Sequence, residues 1–305
     1  MQKAEMIDLL KLPLIELVSL ANKVREDSVG SNLELCSIIN AKSGLCSEDC
    51  RFCAQSARHN CAIDTYPLRK KSEIIEAAKR AKETGAKKFG IVTSGNRLND
   101  KELNTLIRTV SEIKNKIGIE VCGSLGALEK NELARLRQAG LSRYHHNIET
   151  SENFYPQIVS THSFEQRVNT IKAAKEVGLE VCSGGIIGLG ESWGDRIDMA
   201  LLLKELNVDS VPINLLIPVK GTAFENLRPI SCLEAVKTIC IFRIILKDKA
   251  IKIAAGRETV LKDFQAMGFM AGANGMLIGG YLTVKGRDVE QDYRLVEEIG
   301  KIWAE

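Results

Sequence analysis

Residues 33–55 read LELCSIINAKSGLCSEDCRFCAQ, an apolar run followed by a loop with three cysteines. The run at 33–40 is typical of a buried β-strand, and similar runs alternate with helical patterns along the rest of the chain. Eight strands are predicted in this way: LELCSIIN (33–40), KKFGIVTSG (87–95), IEVCGSL (119–125), RYHHNIE (143–149), LEVCSGGII (179–187), SVPINLLI (210–217), IKIAAG (251–256) and GMLIGG (275–280).

The alternation of strands and helices predicts an α/β fold with a parallel sheet. Its eightfold repetition favours a closed (β/α)8 TIM-type barrel over an open doubly wound sheet. No linker or break in composition divides the chain, so we expect a single domain. An N-terminal helical extension (1–32) would precede the barrel (33–285), and a C-terminal helix (286–305) would follow it.

The composition excludes several classes of protein. The 305 residues include 42 basic and 39 acidic side chains, with a net charge of +3 and no basic stripe for nucleic acid or a membrane surface. The apolar runs are too short to span a bilayer, and the N-terminus resembles an amphipathic helix more than a signal peptide. A cytoplasmic protein is expected, in which nine cysteines indicate metal or redox chemistry and not disulfides.

Cys46, Cys50 and Cys53 have the spacing of one helix face, so they could simply pack together. The polar residues between them make that interpretation weak. A structural zinc site is a second possibility, but zinc normally takes four ligands, and the candidates for the fourth are His59 and Cys61.

A four-iron cluster held by three thiolates is the third interpretation. It leaves one iron open for a ligand, as a catalytic zinc keeps an open position. The CxxxCxxC pattern after a first strand is typical of radical S-adenosylmethionine (SAM) enzymes, and Phe52 before the last cysteine fits that pattern. In a barrel this loop would lie at the C-terminal face, where active sites are built.

The predicted strands are unusually polar for a buried core. Burying polar side chains costs free energy unless they bind something, so we expect an interior that holds ligands. The polar positions are Asn40, Cys122, Ser124, His145, Asn147, Glu149, Cys182, Asn214 and Arg257.

Several motifs together resemble the biotin synthase family over roughly residues 5–300. They are NAKSGLCSEDCRFCAQSARH, EVCGSLGAL, YHHNIETS, VCSGGIIGLGE, SVPINLL, AAGRE and GFMAGAN. The resemblance implies a radical enzyme with a (β/α)8 fold, usually a homodimer, that inserts sulfur between two unactivated carbons of dethiobiotin.

The resemblance also implies the cofactors. A [4Fe-4S] cluster reduces SAM, which breaks to methionine and a 5′-deoxyadenosyl radical, and the substrate radical then attacks a sulfide of an auxiliary cluster. A protein such as flavodoxin or ferredoxin would supply the electron. The protein's own part is to align these centres and exclude water.

The resemblance assigns the first cluster to Cys46, Cys50 and Cys53. Glu149, where the family usually has aspartate, would accept hydrogen bonds from the ribose of SAM. The other implied cofactor contacts are Phe52, Asn147, Gly184, Gly185 and Ile186.

Four residues are implied for the substrate. Asn147 and Asn214 would hydrogen-bond the ureido ring of dethiobiotin, since each amide offers donors and an acceptor. Thr283 would meet the far end of the substrate. His145 shares a strand face with Asn147 and Glu149, where either a substrate contact or a histidine satisfied by its neighbours is expected.

The auxiliary cluster is where this sequence departs from the family, which uses three barrel-lining cysteines and an arginine. Cys122, Cys182 and Arg257 match that set, but Gly90 stands at the second-strand cysteine position. Either the protein lacks the second cluster and does other radical chemistry, or another cysteine replaces the missing one.

We expect Cys36 on the first strand to be the replacement, with Cys61 as a weaker candidate. The auxiliary cluster would then be [2Fe-2S] or a larger variant, with Arg257 as a ligand or a charge partner. Cys232 and Cys240 are expected to pack within a helix.

Two alternative functions stay open on the sequence. One is another radical SAM barrel enzyme of the same branch, similar to a hydrogenase-cofactor maturase. The other is a non-catalytic iron–sulfur or metal-stabilised protein, such as an electron carrier, although a carrier needs no polar pocket for a cofactor.

Overall fold

The computed structural model describes residues 3–283 and 286–304, and within them nine parallel strands form one closed sheet. Strand β1 pairs with β2 on one side and with β9 on the other, and the remaining strands follow in order around the ring. The strands are β1 (Glu34–Lys42), β2 (Lys88–Thr93), β3 (Glu120–Ser124), β4 (Leu141–His145), β5 (Glu180–Cys182), β6 (Gly185–Ile187), β7 (Ser210–Leu215), β8 (Ala250–Ile253) and β9 (Gly275–Leu277).

Helices surround this sheet, as a (β/α)8 barrel requires, and the predicted fold is confirmed. They are α1 (Lys3–Leu9), α2 (Leu14–Val29), α3 (Lys71–Glu83), α4 (Asp100–Lys116), α5 (Lys130–Gln138), α6 (Phe164–Glu176), α7 (Trp193–Glu205), α8 (Cys232–Leu246), α9 (Arg257–Val260), α10 (Gln265–Met270) and α11 (Val289–Ala304).

The fifth predicted strand (179–187) is divided into β5 and β6, which together occupy one strand position of the barrel. Between them, the N–H groups of Ile148 and Glu149 both donate to the carbonyl of Gly184, at 3.0 and 3.1 Å. A Cβ on Gly184 would lie 2.0 Å from the carbonyl oxygen of Pro212. The strand therefore breaks where three segments of backbone meet.

The hydrophobic core lies between the barrel and its helices. Outward side chains of the strands are almost fully buried there, as at Phe89 and Ile91 of β2 and Val211 and Ile213 of β7. Inward positions alternate with these because successive strand residues point to opposite faces. Polar residues at these inward positions, such as Asn214 of β7, therefore point into the barrel.

The N-terminal extension and the C-terminal helix pack outside the barrel. Helix α2 lies against α8, and α1 lies against α7. Helix α11 is tied to α9 by a fully buried ion pair between Asp292 and Arg257, 2.7 Å apart. The predicted barrel boundary at residue 285, the first two residues of the extension and residue 305 fall outside the described residues.

Within residues 3–283 and 286–304, no helix has the length and apolar character needed to cross a membrane.

Candidate active site

A cavity of about 460 Å³ runs along the inside of the barrel. At the carboxyl ends of the strands it is lined by the loop that carries Cys46, Cys50 and Cys53. At the other end it reaches Lys88, the first residue of β2. One cavity thus contacts residues from both ends of the barrel.

The cysteine loop is held by its own backbone. The N–H of Cys46 donates to the carbonyl of Gln55 at 3.1 Å, and the N–H of Ala57 donates to the carbonyl of Cys46 at 2.8 Å. Gly44 begins the loop with φ of 73°, and a Cβ there would lie 2.5 Å from Oγ1 of Thr65. Glycine is needed because it takes this conformation without steric cost.

A second segment fixes the residues between the cysteines. The carboxylate of Asp49 accepts hydrogen bonds from the backbone N–H groups of Ser160 and Thr161, at 2.9 and 3.2 Å. Glu48 accepts from Nδ1 of His162 at 2.7 Å. The polar residues between the cysteines therefore anchor the loop to the segment after β4.

The loop forms no helix, which excludes the interpretation of the three cysteines as one apolar helix face. The zinc interpretation gains no support either. Nδ1 of His59 is bonded to the carbonyl of Cys53 at 2.9 Å, and neither His59 nor Cys61 lines the cavity. Across the part of the chain that the structure describes, no three His, Cys, Asp or Glu side chains are grouped so that they could hold a single metal ion.

The sulfur of Cys53 is suited to an iron–sulfur cluster. Burial raises the pKa of the Cys53 thiol to about 11, while the backbone N–H groups of Gln55 and Ser56 oppose that rise by hydrogen-bonding the sulfur. Donors of this kind stabilise a thiolate once a metal displaces the proton. Three thiols in one loop match a cluster that leaves one iron open, whereas a structural zinc ion normally takes four ligands.

His145, Asn147 and Glu149 form a hydrogen-bonded chain inside the barrel. Nε2 of His145 donates to Oδ1 of Asn147 at 3.1 Å, and Nδ2 of Asn147 lies 3.4 Å from the carboxylate of Glu149. The expected shared face is present, although β4 ends at His145 and Glu149 has φ of 70°. His145 therefore has a hydrogen-bond partner within the chain, as expected for a histidine satisfied by its neighbours.

Arg167 of α6 is the cation beside this chain. Its guanidinium donates to Tyr155 Oη at 2.6 Å, to His162 Nε2 at 2.9 Å and to the carbonyl of Asn147 at 2.9 Å. Its nearest approach to the Glu149 carboxylate is 3.8 Å. The Glu149 side chain, about 12% exposed, thus has only long contacts, and burial raises its pKa. That carboxylate retains capacity for a ligand's hydroxyl groups.

Gly184 and Gly185 do not line the cavity, whereas Ile186 does. The backbone of Glu149 would lie 2.3 Å from a Cβ on Gly185, so protein backbone takes the space that a side chain would need. These glycines were expected to let the chain approach the cofactor directly. In the structure they let neighbouring strands approach each other, and Ile186 faces the cavity.

Asn214 and Thr283 line the cavity, as does Phe52. The side-chain amide of Asn214 already bonds the backbone of two segments, β6 and the residues after β8. Nδ2 donates to the carbonyl of Gly185 at 3.1 Å, and Oδ1 accepts from the N–H of Ala255 at 3.3 Å. It therefore offers a ligand one remaining N–H and one lone pair, fewer than a free amide offers.

Cys36, Cys122 and Cys182 line the deeper part of the same cavity. Burial by itself raises the pKa of Cys182, yet His145, Lys252 and Arg143 together lower it to about 6. Beside Gly90, the neighbour on β1 is Ile38 and not Cys36, and a Cβ on Gly90 would lie 3.0 Å from Ile38 Cγ2. Cys36 pairs with Lys88 instead, closer to the amino ends of the strands.

Arg257 is not in the barrel lumen, contrary to its expected role as a cluster ligand or charge partner. Strand β8 ends at Ile253, and Gly256, with φ of 85°, turns the chain outward before Arg257 begins α9. The guanidinium is fully buried outside the cavity, where it bonds Asp292 at 2.7 Å and Tyr281 at 3.1 Å. The cation beside the cysteines is Lys252, whose Nζ lies 3.1 Å from Sγ of Cys36.

Sequence reasoning missed four residues of this site. Lys252 and Arg143 lie within predicted strands. Arg143 is two positions from His145, and Lys252 alternates with the apolar Ile251 and Ile253, so the strand period of two could have found both. Arg167 and His162 lie outside the strands, and their spacing in the sequence carries no comparable signal.

The geometry of barrel and cysteine loop agrees with comparisons to known proteins. The family described as "Radical SAM superfamily" matches residues 42–215, and the "Biotin and Thiamin Synthesis associated domain" matches residues 212–302. Fold and site thus define a radical SAM protein.

Curated relatives narrow the class. Biotin synthase of Thermotoga petrophila is 49% identical over 296 residues, covering 97% of this chain and 98% of the relative. Biotin synthase of Thermotoga neapolitana is 54% identical over 273 residues, covering 89% and 98%. The chain belongs to the biotin synthase family.

Solved structures support the fold. Methylornithine synthase superposes with a TM-score of 0.86 at 24% identity, covering 98% of this chain and 93% of that one. HydG, a maturase of the [FeFe]-hydrogenase, gives a TM-score of 0.82 at 16% identity, covering 98% and 71%. At these identities the likeness extends to the barrel and not to the reaction.

Proposed function

We propose that the chain catalyses the reaction of biotin synthases, a radical insertion of sulfur into dethiobiotin. One observation carries the proposal: a single cavity is lined by two sets of three cysteines, with polar side chains between them. The set at the carboxyl ends is Cys46, Cys50 and Cys53, and the deeper set is Cys36, Cys122 and Cys182.

The first set would hold a [4Fe-4S] cluster, with SAM on its open iron. When bound, these cofactors supply the 5′-deoxyadenosyl radical that removes hydrogen from the substrate. Glu149 would accept from the ribose hydroxyls, because its carboxylate has only the long contacts described above. Burial raises the pKa of the Cys50 thiol, and the positive charge of Arg167 acts against that rise. Arg167 would pair with the carboxylate of SAM. Phe52 and Ile186 would form the apolar walls.

The substrate would lie between the two cysteine sets. Asn147, Asn214 and His145 line that part of the cavity, and amides that keep one free N–H can donate to the ureido carbonyl. Thr283 would contact the other end of dethiobiotin. This arrangement encloses the reacting carbons between the two clusters and keeps water away from the radical.

The deeper set would hold the auxiliary cluster that donates sulfur, either [2Fe-2S] or a larger form. Cys36 supplies the third thiolate from a level below Gly90, so the cluster would sit nearer the amino ends of the strands than a cysteine at position 90 would place it. Arg257 is withdrawn from this ligand set because its guanidinium is bonded outside the lumen.

The test of function is anaerobic reconstitution with iron, sulfide and a strong reductant, followed by incubation with SAM. We expect dethiobiotin to stimulate release of 5′-deoxyadenosine and to yield biotin. If 5′-deoxyadenosine is released but dethiobiotin neither stimulates its release nor is converted to biotin, the protein is a radical enzyme with a different substrate. A homodimer and a flavodoxin or ferredoxin reductant belong to the same proposal by family membership.

The test of the ligand set compares Cys36→Ala with Cys61→Ala. After reconstitution, Cys36→Ala should lose auxiliary iron and sulfide, because two thiolates hold a cluster poorly. Cys61→Ala, which removes a cysteine outside the cavity, should retain both. Full auxiliary iron in Cys36→Ala would refute this ligand set.

A further inference from the structure

Six charged side chains form an open chain of ion pairs at the amino ends of the strands, beneath the deeper cysteines. Arg143 lies 2.6 Å from Glu34 and 2.8 Å from Glu180, and Lys88 lies 3.3 Å from Glu180. The remaining pairs of this charged chain are Lys88 with Glu120 and Lys252 with Glu34.

Lys252, at one end of this charged chain, joins it to the cysteines. Its Nζ contacts the carboxylate of Glu34 and lies 3.1 Å from Sγ of Cys36, and the side chain is about 6% exposed. The lysine points inward because it lies on β8, two residues before Ala254 of the cavity wall.

The neighbouring strand leaves room for the lysine. Gly275 of β9 is the register partner of both Lys252 and Glu34. A Cβ on Gly275 would lie 2.8 Å from Cγ of Lys252 and 2.9 Å from the carbonyl of Glu34. A side chain there would displace the lysine stem, so two strands are shaped to deliver the ammonium group to Cys36.

We propose that Lys252, supported by Arg143, is the cationic residue of the auxiliary sulfur site, and that it hydrogen-bonds the Cys36 thiolate without binding iron. This inference rests on the proposed function. An ammonium group paired with Glu34 has three donors and no free lone pair, so it can donate to sulfur but cannot coordinate a metal. Three thiolates in a buried site need compensating charge, and the guanidinium of Arg257 does not line the cavity but is bonded to Asp292 and Tyr281.

The consequence concerns the reduction of the auxiliary cluster. A fixed positive charge beside a thiolate ligand favours the reduced, more negative cluster and so raises its reduction potential. Loss of that charge makes the cluster harder to reduce. Lys252 is therefore a positioning residue that acts through Cys36.

The experiment uses the full-length chain with Cys46, Cys50 and Cys53 all changed to alanine, so that the auxiliary cluster is studied alone. Into this background we introduce Lys252→Met and Lys252→Arg, and we measure iron, sulfide and midpoint potential. Lys175→Met is the matched control, because it removes a lysine that pairs with Asp209 away from the cavity.

Lys252→Met should shift the midpoint potential to a more negative value. Lys252→Arg, which keeps the positive charge, should hold the potential close to its original value, and Lys175→Met should leave it unchanged. If Lys252→Met binds too little iron to titrate while Lys252→Arg binds a full complement, the need for a cation is supported by iron content instead. If Lys252→Met leaves both the potential and the iron content unchanged, this inference is overturned, whereas the proposed function is not affected.

Pulsed electron paramagnetic resonance with ¹⁵N-labelled lysine separates the two modes of contact. A weak coupling that Lys252→Arg abolishes is expected, whereas the strong coupling of an iron-bound nitrogen would overturn the hydrogen-bonding role. If the background variant with Lys252 intact holds no cluster, the auxiliary cluster of the proposed function fails and this inference fails with it.

Discussion

Arg167 joins three parts of the site through a single guanidinium. It bonds Tyr155, His162 and the backbone of Asn147, and His162 in turn bonds Glu48 of the cysteine loop. The loop that would carry the first cluster is therefore connected by three side chains to the residues that would bind SAM. Rigid connections of this kind fix the distances on which the chemistry depends.

At the same scale, Glu149→Gln should weaken SAM binding. The amide keeps the shape and one acceptor but loses the charge, which costs about 1.5 kcal/mol, or roughly tenfold in affinity. Anaerobic equilibrium binding of SAM measures the change, and Glu149→Asp should preserve more affinity than Glu149→Gln. The exposed Glu152→Gln is the control, and equal affinities for Glu149→Gln and the wild type would remove Glu149 from the site.

At the scale of elements, the break between β5 and β6 shapes the middle of the cavity. Gly184 accepts two backbone hydrogen bonds from the segment after β4 and donates its own N–H to Oδ1 of Asn147 at 3.1 Å. The same break allows Ile186 and Asn214 to face the interior. An unbroken strand would have buried a regular row of side chains and left less room for a ligand.

Gly184→Ala should destabilise the apoprotein by at least about 2–3 kcal/mol, because its Cβ would meet the backbone of Pro212 at 2.0 Å. The opposite sign is expected for Gly300→Ala on α11, where a Cβ meets nothing within 4 Å and alanine favours the helix by about 0.5–1 kcal/mol. Urea unfolding followed by circular dichroism compares the two midpoints. A wild-type midpoint for Gly184→Ala would contradict the packing described for the strand break.

At the scale of the whole molecule, the C-terminal helix is fastened to the wall of the cavity. Arg257 bonds Asp292 of α11 and also Tyr281, which lines the cavity next to Thr283. The hydroxyl of Tyr281 donates in turn to Glu258 at 2.7 Å. Arg257, which the sequence suggested for the auxiliary cluster, thus holds α11 against the segment at the proposed substrate end.

Asp292→Ala should destabilise the protein by about 3–5 kcal/mol, because it leaves the fully buried Arg257 without its carboxylate. Thermal unfolding measures the loss, and limited proteolysis should cleave before α11 earlier than in the wild type. Lys301→Ala, which removes an exposed partner on the same helix, should leave both measurements unchanged. If the two variants behaved alike, the buried pair would not fasten the helix.

The sequence by itself determined the barrel, because strand and helix patterns alternate eight times along the chain. Each pattern is a periodicity that depends only on local residue order. It also determined the radical SAM class, since the cysteine spacing and the polar strand positions are local features. Cys122, Cys182, Asn147 and Asn214 line the cavity as their strand positions predicted.

Only the tertiary structure decided which cation reaches the deeper cysteines. The period of two gives the face of a residue within a strand, but not where the strand ends or how it pairs with its neighbours. The left-handed turn at Gly256 directs Arg257 out of the lumen, and the pairing of β9 with β8 on one side and β1 on the other brings Lys252 to Cys36. Register and turn geometry arise from contacts between distant segments, which residue order alone does not contain.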